Sequence, residues 1–269
     1  MCMLAISGCF APNEAINDEA LKSLGAELEF SLFDVDGHQF QVVESGDRSK
    51  QLVLFIHGTP GSWEGYSEYL QMPSLASRAH LMAMDRPGFG KSNEGTWLPP
   101  FQEQASILIK LRELNHSALP IIIVGHSLGG SIAYRMAVDF PDDISGMVVI
   151  SAPVDPGLSK RRWYNLLASY AVISWMLPDS LIKANREMNL LQGDLLALEP
   201  MLPEIRSNVT VIQGREDKLV KFGNLGFAEE KLTQAHFKAI PVADMGHFVL
   251  WEKPGLIAAE ILALLDDSS

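Results

Sequence analysis

Apolar and polar residues alternate from Glu27 to Val35, an Asp36-Gly37 pair follows, and the alternation partly resumes from His38 to Glu44. A period of two on either side of Asp-Gly predicts an antiparallel hairpin closed by a two-residue turn. Beyond it, short aliphatic and β-branched runs stand between turn residues at Leu52 to Ile56, His80 to Met84, Ile121 to Val124, Met147 to Ile150, Val209 to Ile212 and Ala235 to Ile240. Runs that are apolar on both faces predict buried parallel strands. Helical spacing fills the stretches Phe101 to Leu114, Ser127 to Phe140, Gly223 to Thr233 and Pro254 to Leu265. Strands alternating with helices predict an α/β fold, a doubly wound and mostly parallel eight-stranded sheet, where ligands sit beyond the carboxyl ends of the strands. Asp155 to Arg206 shows neither strand period nor repeat and reads as a helical insertion after the sixth strand. The expected organisation is a core of residues 25–154 and 207–269, a helical cap of residues 155–206, and a separate N-terminal segment of residues 1–24.

Composition narrows the function classes. The 269 residues are 47% hydrophobic and 20% charged, the profile of a packed chain rather than a disordered one. Lys and Arg total 21 against 33 Asp and Glu, a net charge of −12, which repels phosphate backbones and argues against a nucleic-acid partner. Cys2 and Cys9 are the two cysteines, so neither a disulfide framework nor a cysteine metal site holds the fold. No uncharged apolar run reaches the roughly 18 residues of a membrane-spanning helix. Residues 1–13 carry no charge, begin apolar and pass through small residues to Cys9, which is a targeting composition. Ile6-Ser7-Gly8-Cys9 resembles the bacterial lipobox, whose cysteine is lipidated. That resemblance implies a lipid anchor on Cys9, a tether from Ala11 to about Leu24 and a place in the bacterial cell envelope. The plainer alternative is an apolar tail on a cytoplasmic enzyme.

The chemistry-bearing residues fall just after strands. Gly125-His126-Ser127-Leu128-Gly129 follows one strand directly and opens a helix, the setting of a nucleophile elbow, in which glycines permit a turn too sharp and too crowded for larger side chains. A serine hydroxyl is a weak nucleophile and needs a base, which in turn needs an acid to orient it. An elbow of this kind is followed in the chain first by the acid and then by the histidine. His247, in Asp244-Met245-Gly246-His247-Phe248, is the expected base. Asp217, in Gln213-Gly214-Arg215-Glu216-Asp217, is the expected acid, with Asp155 after the sixth strand as the alternative. His57 and His126 precede the nucleophile, and His38, His80, His116 and His236 belong to strands or connections. Acyl transfer also needs donors for a developing oxyanion. The expected donors are the backbone N–H of Leu128 and, in His57-Gly58-Thr59-Pro60-Gly61-Ser62, that of Thr59, because Pro60 has none. These groups require no cofactor and no metal.

Taken with Asp85-Arg86-Pro87-Gly88-Phe89-Gly90-Lys91-Ser92, the Gly214 to Asp217 turn and Gly246-His247 through Glu252-Lys253-Pro254, these motifs resemble the α/β-hydrolase superfamily from about Leu28 to Leu265. They are similar in particular to the branch of epoxide hydrolases, haloalkane dehalogenases, carbon-carbon bond hydrolases and small esterases. The resemblance implies the α/β-hydrolase fold, a cap over the site, and a structural role without chemistry for Asp85 and Arg86. It also carries one departure: epoxide hydrolases and dehalogenases attack with an aspartate where this chain has Ser127.

Within the insertion, Leu166 to Leu177 is uncharged and rich in aliphatic and aromatic residues, suited to packing on the core or to roofing an apolar pocket, with Trp163 and Trp175 as lining. Lys160-Arg161-Arg162-Trp163 is the most basic cluster, either a solvated helix start or a contact for a membrane surface. The expected activity is that of a serine hydrolase cleaving a small, largely apolar carboxylic ester. Carbon-carbon hydrolysis, aminopeptidase or acyltransferase chemistry on the same triad remains open, as does a non-catalytic, hydrolase-like binding protein.

Overall fold

A computed structural model of the chain describes residues 27–92, 97–159 and 179–267. The hairpin opens it: β1 (Glu29–Val35) pairs antiparallel with β2 (His38–Gly46), Glu29 opposite Glu44 and Val35 opposite His38. Asp36 and Gly37 turn it at φ 54° and 84°, both in the left-handed region that a two-residue turn demands. Asp34 accepts the Gly37 N–H through its side chain at 3.1 Å.

The parallel strands follow as β3 (Leu52–Ile56), β4 (His80–Met84), β5 (Ile121–His126), β6 (Ile144–Ile150), β7 (Asn208–Gly214) and β8 (His236–Val242). Their order in the single sheet is β1-β2-β4-β3-β5-β6-β7-β8. Both partners of β3, β4 on one side and β5 on the other, run parallel to it, so the strand that precedes the oxyanion-loop candidate lies beside the strand that precedes Ser127. Successive side chains of a strand point to opposite faces. Leu52, Leu54 and Ile56 therefore enter one core, and Val53 and Phe55 the other.

Among the described residues, five longer helices cover the two faces: α1 (Phe101–Lys110), α2 (Leu128–Asp139), α3 (Asp179–Leu198), α4 (Gly223–Lys231) and α5 (Pro254–Asp267). Helices α1 to α4 line the first core, and α5 joins Trp63, Tyr66, Tyr69, Leu70 and Leu75 in the second. Of the insertion, α3 and a 3-10 segment, Glu199–Glu204, are described. Leu191, Leu195 and Leu198 of α3 share one helical stripe and bury it in the first core, so this part of the insertion is anchored by packing. A carboxylate on the same helix, Asp194, faces the backbone N–H of Phe101 at the start of α1, where Pro100 supplies no side-chain cap. Among the described residues, no helix is long and apolar enough to cross a membrane.

Sequence and structure differ at element ends. Strand β5 runs on through Gly125 and His126 because their backbones stay paired with Val149 and Ile150, which carries the sheet up to the residue before Ser127. Three helices of four residues, Trp63–Tyr66, Ser67–Leu70 and Pro73–Ala76, fill the β3 to β4 connection, where no stripe is long enough to announce a helix.

Candidate active site

Ser127 stands between the end of β5 and the first turn of α2 at φ 51° and ψ −127°, a conformation that L side chains rarely adopt. Its N–H is held by the Ile150 carbonyl at 2.9 Å. A Cβ added to Gly125 would lie 2.7 Å from the Gly129 oxygen and the Gly130 Cα, and one added to Gly129 would lie 2.1 Å from the Ile56 oxygen. Strand and helix cross at a separation that only glycine tolerates.

His247 and Asp217 come from loops after β8 and β7, and these loops are tied together. Glu216 N–H reaches Met245 O at 2.9 Å, Arg215 N–H reaches Val242 O at 3.0 Å, and a Cβ on Gly214 would lie 2.2 Å from the Gly246 oxygen. The result is a buried bond of 2.8 Å from His247 Nδ1 to Asp217 Oδ2. Asp217 accepts at every side: Leu219 N–H and Val220 N–H reach Oδ1 at 2.8 Å each, and Gln213 Nε2 reaches Oδ2 at 3.0 Å. With Nδ1–H directed at the carboxylate, Nε2 of His247 is left as an acceptor. The alternative acid, Asp155, is occupied elsewhere: its Oδ1 accepts the Gly157 N–H at 2.6 Å and its own N–H goes to Asn224. Glu216 is exposed.

His126, the residue before the elbow serine, is buried, and its Nε2 bonds the His247 carbonyl at 3.1 Å. Burial, reinforced by neighbouring His247, pushes its pKa down to about 3, so the ring stays neutral and donates from Nε2. Its plane meets Trp251 edge to face with centroids 4.9 Å apart. Neither this support nor that of Gln213 was apparent from the motifs; a histidine beside the elbow and a glutamine four residues before the acid are the only traces they leave in the sequence.

The loop after β3 lies against the nucleophile. A Cβ on Gly58 would come within 2.9 Å of the Ser127 Cβ. Thr59, the expected second oxyanion donor, belongs to this loop and is half-buried, and Leu128 opens α2, so its N–H is among those a helix start leaves without an intrahelical partner. His57 is buried and neutral, its pKa lowered well below the usual range by burial and by the Arg86 charge. Two further histidines have structural places: His80 bonds Glu44 at 2.9 Å and Asn115 at 3.0 Å, and His38 stacks on Trp97. Asp85 ties its loop together by accepting Trp63 N–H and Lys91 N–H at 2.9 Å each. Aromatic rings border the histidines: Phe89 at 5.6 Å from His57 and Phe248 at 5.6 Å from His247. Among the described residues, no three His, Cys, Asp or Glu side chains converge as a metal site. Trp163, Trp175 and Cys9 lie outside the described residues.

The model of the alpha/beta hydrolase family matches residues 53–260. The chain belongs to the alpha/beta hydrolase family. Among its relatives, epoxide hydrolase 4 of Mus musculus is 33% identical over 149 residues, 53% of this chain and 38% of that protein. The chain thus spans little more than a third of the length of that relative. Among solved structures, 2-hydroxy-6-oxo-6-phenylhexa-2,4-dienoate hydrolase from a Rhodococcus strain superposes with a TM-score of 0.72 at 16% identity, covering 90% of this chain and 99% of that one. A bacterial membrane phospholipase A superposes with a TM-score of 0.70 at 19% identity, covering 93% and 89%. At these identities the structures speak for the fold.

Proposed function

We infer that this chain is a serine hydrolase that cleaves a small, largely apolar carboxylic ester through an acyl-enzyme. The observation that carries the reading is the buried 2.8 Å bond from His247 Nδ1 to Asp217 Oδ2, on the same sheet edge as a serine held at an elbow. Ser127 Oγ attacks the ester carbonyl while its proton passes to His247 Nε2, and Asp217 keeps the imidazole in the right tautomer and stabilises it when charged. The amides of Thr59 and Leu128 receive the oxyanion. Collapse breaks the bond to the alcohol, which leaves with the proton from His247. Water then repeats the sequence on the acyl-serine and releases the acid. The rings of Phe89, Phe248 and Trp251 around the histidines favour an apolar substrate.

The epoxide-hydrolase name of the relatives does not transfer. A carboxylate that opens an epoxide leaves an ester, which water can cleave at its carbonyl. A serine oxygen would leave an ether, which offers water no carbonyl and would trap the enzyme. Ser127 therefore favours acyl chemistry. Anchorage at a membrane surface through Cys9 rests on the sequence motif alone and stays part of this proposal.

The test is labelling of the purified protein by a fluorophosphonate, followed by turnover of p-nitrophenyl esters of increasing acyl length. Labelling is expected in the wild type and absent in Ser127→Ala and His247→Ala, with kcat/KM falling by at least about a thousandfold in each. A folded wild type that neither labels nor turns over any ester overturns the reading in favour of a binding role.

A further inference from the structure

Arg86 is fully buried, and each of its five guanidinium N–H donors has an acceptor. Nε donates to the His57 carbonyl at 2.8 Å, and Nη2 donates to the Gly58 carbonyl at 2.8 Å. Nη1 donates to Gln104 Oε1 at 2.8 Å and to Glu187 Oε1 at 2.7 Å, and Nη2 completes a fork on Glu187 Oε2 at 3.1 Å. The Arg86 backbone N–H donates to His57 Nε2 at 2.9 Å, which leaves His57 Nδ1–H to reach the same Gly58 carbonyl at 2.7 Å. Three parts of the molecule meet at one cation: the loop after β3, α1 through Gln104, and the inserted helix α3 through Glu187, 101 residues along the chain.

The Gly58 carbonyl and the Thr59 N–H belong to one peptide unit. In a trans peptide the two point in opposite directions. A guanidinium and an imidazole N–H gripping the oxygen therefore fix the direction of the Thr59 N–H and polarise it toward more positive charge at its hydrogen. The loop is too crowded to adjust on its own: a Cβ on Gly61 would meet His57 Nδ1 at 2.9 Å and the Gly58 oxygen at 3.0 Å. Glu187 is the remaining variable. It is the anion opposite Arg86, and it arrives only when α3 is seated.

We propose that the buried Arg86–Glu187 fork makes the oxyanion hole depend on the seating of helix α3, with Arg86 as a positioning residue that aims and polarises the Thr59 amide. This rests on the reading of Ser127 as nucleophile. Removing the charge at 187 leaves Arg86 free to shift off the Gly58 carbonyl, and the donor loses its aim in the transition state more than it affects the bound ester.

The experiment compares wild type, Glu187→Gln and the double variant Arg86→Met/Glu187→Met, which removes both charges and leaves no lone buried ion. Each is assayed for kcat and KM on a short p-nitrophenyl ester and for the rate ratio between a matched ester and thionoester, whose sulfur accepts hydrogen bonds poorly. Near-ultraviolet circular dichroism reports folding. Both variants are expected to fold, to lose about tenfold or more in kcat with KM within about twofold, and to discriminate less between oxygen and sulfur. Folded variants with wild-type kcat and discrimination overturn the proposal while leaving the nucleophile intact. A loss in KM alone moves Glu187 to substrate binding and also overturns it. If the double variant does not fold, Glu187→Gln decides alone: a loss of kcat and of oxygen–sulfur discrimination supports the proposal, and wild-type values overturn it. A wild type inactive on every ester removes the nucleophile reading and this proposal together.

Discussion

Ser127 shows how one residue carries a structural penalty for a chemical position. Its φ of 51° with ψ −127° belongs to the sparsely populated regions that cost about 1–3 kcal/mol for a residue with a side chain. Glycine enters the same region freely. Ser127→Gly and Ser127→Ala both remove Oγ, so both abolish labelling, yet they differ in strain. The glycine variant is expected to be more stable than the alanine variant by about 1 kcal/mol, after allowing for the extra freedom glycine has when unfolded. Urea unfolding at pH 7 measures the difference, and equal midpoints would mean that the elbow stores no strain at this residue. The neighbouring glycines obey the opposite logic. At Gly125 and Gly129 a Cβ meets backbone rather than a movable side-chain end, so crowding fixes glycine there independently of φ.

At the scale of elements, what was legible in the sequence depended on how local the cause is. Strands β3 and β4 lie where their aliphatic runs put them, because strands covered on both faces have a pattern set by burial alone. The turn at Ser127 and the loops that carry Asp217 and His247 were legible because each follows the end of a strand. The seat of α3 was not. Its apolar stripe is interrupted by Glu187, and the acceptor-hungry Arg86 that makes this carboxylate a buried residue lies on a loop 101 positions earlier. No periodicity marks such a pair, since its cause is the meeting of two distant segments. For the same reason, the sequence suggested no chemistry for Arg86. Helix α3 also holds a weak point of its own. Gly193 lies inside it, exposed, with nothing within 4 Å of an added Cβ. Gly193→Ala is therefore expected to raise stability by about 0.5–1 kcal/mol through helix propensity alone. Thermal unfolding checks this, and a lower Tm would show that position 193 is crowded or not helical. If the Arg86–Glu187 fork works as proposed, firmer seating of α3 leaves kcat undiminished in this variant.

For the whole molecule, four groups whose pKa values burial displaces, two aspartates and two histidines, respond to acid in opposite directions. Asp85 and Asp194 have their pKa values raised to about 6, chiefly by burial, so folding favours their protonated forms and acidification from pH 6 toward 4 relieves a cost. His57 and His126 are held neutral, again chiefly by burial. The unfolded chain protonates its histidines below about pH 6.5 while folded His126 waits until about 3. Between those limits the unfolded state binds more protons, so stability falls as pH falls, by up to about 1.4 kcal/mol per unit from His126, and His57 acts in the same direction. The two sets partly cancel, and the wild-type curve alone does not separate them. His126→Gln does. The glutamine amide still has an N–H for the His247 carbonyl but cannot titrate, so the variant lacks the His126 contribution to the slope. Whatever the gap between wild type and variant at pH 7, it is expected to shift by about 2 kcal/mol in the variant's favour at pH 5. Urea midpoints at the two pH values measure it. A gap that does not move would mean that His126 titrates in the folded protein much as it does in the unfolded chain, and that the ring supporting the His247 carbonyl is open to protons under the conditions in which the site must work.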